Sequence, residues 1–161
     1  MKKLILVIAL GLAAIASVPA QAATATGNFN VTINLTSACQ ISTAPSTLTL
    51  AYTSFGAAPT PVTTPFAVQC TNTLPYTMSI GSATATMAGV NLDYALVIRN
   101  SGDTADITGS QTAGAAATNY LIKASMAGGQ QGTCANATCN ATATRTPVSY
   151  THLTLPTKRI V

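Results

Sequence analysis

The chain has 161 residues, 48% of them apolar and only 6% charged, and its formal net charge of +4 is confined to the two ends. Lys2 and Lys3 lie at the N-terminus and Lys158 and Arg159 at the C-terminus; between Ala23 and Pro147, Arg99, Lys123 and Arg145 balance Asp93, Asp103 and Asp106. Nucleic-acid binding, which neutralises phosphates with Lys and Arg, has no basis in so neutral a body. Glu and Trp are absent and His152 is the only histidine, so any Ser-His-Asp or Cys-His arrangement would have to use that one residue. An enzyme is therefore not expected, nor is a cofactor or a catalytic residue.

The first predicted element is a cleavable export signal over residues 1–22. Lys2 and Lys3 form a positive start, Leu4 to Val18 an apolar run of about fifteen residues, and Ala20-Gln21-Ala22 a small-x-small cleavage pattern. A spanning helix needs roughly 20 apolar residues, and this run is shorter and ends at Pro19. The mature chain is expected to begin at Ala23, with no later membrane span. Roughly 120 mature residues are enough for one domain with its own core.

Export places Cys39, Cys70, Cys134 and Cys139 in an oxidising compartment, where an even count favours disulfides. Three pairings are possible. Cys39–Cys70 with Cys134–Cys139 is favoured, because Gly-rich sequence beside the later pair lets a short loop close. Loop-closure entropy would give about 3.5 kcal/mol for the first bridge and about 2 for the second. A zinc site fits poorly, since the C-x4-C spacing is loose and no histidine precedes the tail. No metal site is expected.

Thr and Val at alternating positions, cut by Gly, Pro and Asn, predict strands and tight turns. The cleanest alternation is residues 28–36, where Phe29, Val31, Ile33 and Leu35 share one face and Asn or Thr the other. Further strands are predicted at Thr47–Tyr52, Pro65–Cys70, Tyr76–Ile80, Leu92–Arg99 and Asn119–Ser125. Turns are predicted at Phe55-Gly56, Pro59-Thr60-Pro61, Thr73-Leu74-Pro75, Asn100 to Asp103 and Gly128-Gly129. Thr84–Val90 could form a turn of helix, though its Thr and Gly content argues against one. Strands this short and this spaced predict an all-β fold of two packed sheets. The polar stretch Asn100–Asp106 could hold calcium, but it lacks the oxygen-ligand density and closing Glu of such loops, so a solvated turn is expected.

Four stretches in order resemble the spore coat protein U domain family, the secreted domain shared with major subunits of archaic chaperone–usher pili. They are Thr26–Leu35 leading into Cys39, Phe66-Ala67-Val68-Gln69-Cys70, Leu92-Asp93-Tyr94-Ala95-Leu96, and Tyr120–Gln130 with its Ala-Gly-Gln turn. The likeness spans about residues 24–146, and each motif is weak without the others. It implies an immunoglobulin-like β-sandwich that is incomplete, missing one strand. A periplasmic chaperone would fill the gap first, then the N-terminal strand of the next subunit, after delivery to an outer-membrane usher. The matching donor here lies in residues 27–36, with Phe29, Val31, Ile33 and Leu35 as the inserted side chains.

The family normally closes on a Thr/Val-alternating strand ending in an aromatic residue. Asn140–Thr146 begins that way, but Val148 and Tyr150 share one parity while Leu153 and Leu155 share the other. Val148–Thr157 is similar to a translated sequencing adaptor, so residues 148–161 are expected to be a non-native tail, and His152 to carry no function. The resulting organisation is a signal at 1–22, a donor segment at 23–36, a pilin-like domain at 37–147 and the tail. The expected function is that of a secreted subunit of a surface pilus or fimbria, polymerising with identical or related subunits by strand exchange. The alternatives are a secreted coat or matrix protein without exchange, and a small-ligand or glycan module, for which the five Tyr and three Phe are few.

Overall fold

The computed structural model describes residues 24–151. The leader through Ala22 and the tail from His152 onward, with the expectations attached to them, lie outside the described residues. Two units are distinguished, one ending at Asn34 and the other beginning at Leu35.

In the first unit, the described residues from Thr24 to Asn34 carry no regular secondary structure. The strand expected over residues 28–36 is thus not formed: alternation sets which side chains share a face, but a strand also needs a partner for its N–H and C=O groups.

The described residues of the second unit form eight strands: β1 (Cys39–Thr43), β2 (Val62–Cys70), β3 (Pro75–Ser79), β4 (Thr84–Met87), β5 (Leu92–Asn100), β6 (Gln111–Thr112), β7 (Thr118–Ser125) and β8 (Val148–Thr151). They form two antiparallel sheets, one in the order β1-β2-β7-β5-β4 and the other β6-β3-β8. There is no helix among the described residues. The all-β expectation therefore holds, and the strands predicted at 65–70, 76–80, 92–99 and 119–125 fall within β2, β3, β5 and β7, apart from Ile80, one residue beyond β3.

Parity explains why these four strands succeed. Phe66 and Val68 of β2, Leu96 and Ile98 of β5, Tyr120, Ile122 and Ala124 of β7, and Tyr76 of β3 are all buried, all even-numbered, and form one cluster with Ile80 and Ala113. Side chains two apart point the same way in a strand, so each strand commits its large apolar side chains of one parity to the core, while the small Ala67 of β2 is buried at the other parity. The cluster draws on both sheets. Cys39 and Cys70 sit directly opposite each other in the β1–β2 ladder and are bonded, while Cys134 bonds Cys139 across a short loop. Both bridges are the ones favoured from the sequence, and they point to an oxidising, extracytoplasmic compartment.

In this unit one predicted strand is missing, and strands appear that were not predicted, β4 among them. Thr47–Tyr52 is not a strand, although Leu48 and Leu50 do pack on the core. Bonds to side chains flank it instead: the Ser46 N–H donates to Thr64 Oγ1 (2.8 Å), and the Gln130 N–H to the Tyr52 hydroxyl (2.6 Å). Thr84–Val90 is not helical but holds β4, whose β-branched Thr84 and Thr86 suit a strand. A tight turn follows, with Gly89 at φ 90° and Asn91 at φ 50°, and the Asn91 N–H reaches Met87 O at 2.9 Å. Both residues tolerate this left-handed backbone better than most.

At the centre of the core the Tyr76 and Tyr120 hydroxyls are 2.7 Å apart, and the Tyr120 ring lies 5.7 Å from that of Phe66. Tyr76→Phe should cost about 1–3 kcal/mol, because it leaves the Tyr120 hydroxyl buried without that partner. The Tyr76→Phe/Tyr120→Phe pair should lie closer to the parent than the single variant in urea unfolding. Burial, reinforced by the bond to Tyr76, also pushes the Tyr120 hydroxyl well above the ordinary 10.0. The unfolded chain gives up this proton at lower pH than the folded chain. The associated stability is therefore complete below about pH 10 and declines as pH rises further. Denaturation midpoints across that range should show the decline, and the double variant should flatten it.

Candidate functional site

Among the described residues, no group of three or more His, Cys, Asp or Glu side chains is gathered so that it could hold a metal ion. The polar loop after β5 shows why. Arg99 pairs with Asp103 (2.6 Å) and Asp106 (3.2 Å), and Lys123 pairs with Asp103 (3.0 Å), so four of the six charged side chains of the body form one network. The loop is closed from within as well: Asn100 Oδ1 accepts the Thr104 and Ala105 N–H groups, and Asn100 Nδ2 donates to Thr104 Oγ1. Carboxylates engaged by two cations are poorly placed to take a calcium ion.

Gln130, which the sequence marks only as the end of the Ala-Gly-Gln turn, ties three segments together. Its side chain accepts the Asp93 N–H and donates to the Asp93 and Ala127 carbonyls. Its carbonyl accepts the Phe55 N–H (2.8 Å) and a bond from the Tyr52 hydroxyl (3.1 Å). Gly128 packs against the same turn, where a Cβ would come within 2.7 Å of the Ala58 nitrogen, so only glycine fits. A glutamine amide can join any surface loops, and its partners are not encoded by spacing.

Two surface hollows of the described residues are equally plain. One is lined by Thr84, Thr86, Asp93, Ala95, Ser125 and their neighbours on β4, β5 and β7, the other by residues flanking the Cys39–Cys70 bridge. Asp93 accepts a hydrogen bond from Thr86, and Arg145 Nε donates to the Tyr94 hydroxyl at 2.9 Å.

The residues that stand out are apolar and exposed. Phe29, Val31, Ile33 and Leu35 are 85%, 73%, 85% and 78% accessible, whereas large apolar groups at the matching parity of the strands are buried. Four such groups at alternate positions in an otherwise polar stretch form the longest run of exposed large apolar side chains among the described residues. Among the described residues the other exposed large apolar side chains are Phe55, Val148 and Tyr150. Phe55 has φ 64°, unusual for a bulky residue, and the turn around it is held by Gln130.

The candidate site is thus the row Phe29, Val31, Ile33 and Leu35, with Cys39, Cys70, Cys134 and Cys139 in structural bridges elsewhere. Compared with models of protein families the chain matches none, and compared with curated protein sequences it again finds no match.

The charge network makes a direct prediction. Asp103 has φ 52°, which asparagine also tolerates, so Asp103→Asn removes the charge with little backbone strain. It should lower stability by about 1 kcal/mol in low salt, and the difference should shrink at about 1 M salt, as measured by thermal unfolding.

Proposed function

We propose that this protein is an exported structural subunit of a surface fibre, related to the spore coat protein U domain pilins, that polymerises by donating its N-terminal segment to another copy. The observation that carries this reading is the row Phe29, Val31, Ile33 and Leu35, 73–85% exposed on a segment without regular structure. Each of these side chains gains about 1.5–3 kcal/mol on full burial, a strong incentive to find a groove. An extended segment supplies backbone hydrogen bonds to a sheet edge and side chains to the space beneath it.

Three further features support the reading. Cleavage at the Ala20-Gln21-Ala22 pattern would leave the row close to the start of the mature chain, free to enter a neighbour. The two disulfides suit a domain that passes through the periplasm to the cell surface. The two-sheet fold suits an immunoglobulin-like sandwich with one strand to be supplied from outside, first by a periplasmic chaperone at the outer-membrane usher and then by the next subunit.

A coat or matrix protein of the same fold without strand exchange makes a different prediction. Unheated gel electrophoresis in SDS should show a ladder of multimers for the full chain. Val31→Asp/Ile33→Asp should abolish the ladder while leaving the disulfides and the thermal transition of the domain intact. Equal ladders in both proteins, or monomers in both, would reject strand donation.

A further inference from the structure

Residues 126–147, which follow β7, form no strand and contain the Cys134–Cys139 bridge. The stretch is pinned on both sides of that bridge. Before it, the Thr133 N–H donates to the Val90 carbonyl at 2.7 Å, and a Cβ on Gly132 would come within 2.9 Å of Leu92 Cδ2, so the backbone lies tight against the turn that leads into β5. After it, Arg145 Nε donates to the Tyr94 hydroxyl of β5. Between these anchors the disulfide closes Cys134-Ala135-Asn136-Ala137-Thr138-Cys139 into a small ring. Every residue from Thr133 to Thr138 is exposed, and Ala135 to Ala137 form a bend midway around the ring.

The ring carries a pattern with a chemical meaning. Asn136-Ala137-Thr138 is an Asn-x-Thr triplet without proline at its centre, the acceptor pattern for N-linked sugar in an exported chain. Such a site needs a carboxamide and a hydroxyl two residues on, both within reach of a transferase, which surface loops provide. The same triplet occurs at Asn30, Asn34 and Asn140, so in a chain rich in Asn and Thr spacing alone decides little. Position decides more. The triplet at Asn140 is held down through its half-buried Ala141, whose Cβ lies 3.7 Å from where a Cβ on Gly89 would be. Those at Asn30 and Asn34 contain Val31 and Leu35, which the proposed function buries. Only at Asn136 are all three residues both exposed and outside that row.

We propose that Asn136 is a glycosylation site, presented by the ring that the Cys134–Cys139 bridge closes. The co-substrate is a sugar carried on a lipid pyrophosphate in the membrane across which the chain is exported. The Asn136 carboxamide nitrogen attacks the anomeric carbon, and a C–N bond forms as the bond from that carbon to the pyrophosphate oxygen breaks. The lipid pyrophosphate leaves with the bonding electrons, and a base of the transferase takes the amide proton. No oxidant or reductant is needed. The site depends on export of the chain and not on strand donation. Its effect would be hydration: a domain with three cations and three anions between Ala23 and Pro147 holds little water through charge, and sugar hydroxyls would supply a neutral solvated cover.

The test uses the full chain recovered from the cells that export it. After reduction, trypsin releases residues 124–145 as one peptide containing both Asn136 and Asn140, and tandem mass spectrometry locates any added mass. Sugar is expected on Asn136 of the unsubstituted chain. It should be lost in Asn136→Gln and in Thr138→Ala, and kept in Thr138→Ser, which preserves the hydroxyl. Both positions are exposed, so the variants should keep the thermal transition of the parent, and loss of sugar then reports on the acceptor and not on folding. An unmodified peptide from the unsubstituted chain would overturn the assignment. So would sugar on Asn140 or on a threonine hydroxyl in place of Asn136, or a Thr138→Ala chain that is still modified at Asn136. None of these outcomes bears on the multimer ladder, which tests strand donation separately.

Discussion

Side-chain alternation carries most of this structure, because along an extended backbone the parity of a residue decides whether it meets the core or water. Strands β2, β3, β5 and β7 each give one parity to the same cluster, and the Tyr76–Tyr120 hydroxyl pair shows how little polar matter that cluster admits. Residues 29–35 alternate in sequence in the same way but stay exposed with nothing regular formed around them, and β8 turns Val148 and Tyr150 outward. A single physical constraint thus separates the strands that share the core from the exposed row at residues 29–35.

The disulfides and the side-chain ties do a different job. Cys39–Cys70 joins the outermost strand β1 to β2, and Cys134–Cys139 tightens a long stretch without strands between β7 and β8. A chain rich in Thr, Ala and Gly has few large side chains with which to hold its loops. Covalent closure and the Gln130 amide substitute for the hydrophobic contacts that such loops lack.

The parts of the fold that were legible in the sequence are those with local signals. Phe66–Cys70, Leu92–Arg99 and Tyr120–Ser125 alternate visibly and end at Gly, Asn or Pro, so their strands and turns could be read directly. Leu48 and Leu50 alternate too, but their backbone lies beside no ladder, which spacing cannot reveal. β1 and β4 are too short to show a period, and β8 exists only through its pairing with β3. The exposed row from Phe29 to Leu35 was legible as an apolar face. That it lies open to solvent depends on the absence of a partner strand, a fact about three dimensions.

The ion-pair network around Asp103 has a consequence for the surface as a whole. Because Arg99, Lys123, Asp103 and Asp106 neutralise one another, the body retains only Asp93 and Arg145 outside that network, one of each sign. Neighbouring copies would meet with almost no long-range field between them, neither steering nor repelling one another. Contacts between such bodies would be governed by shape and apolar area, and would change little between fresh water and brine.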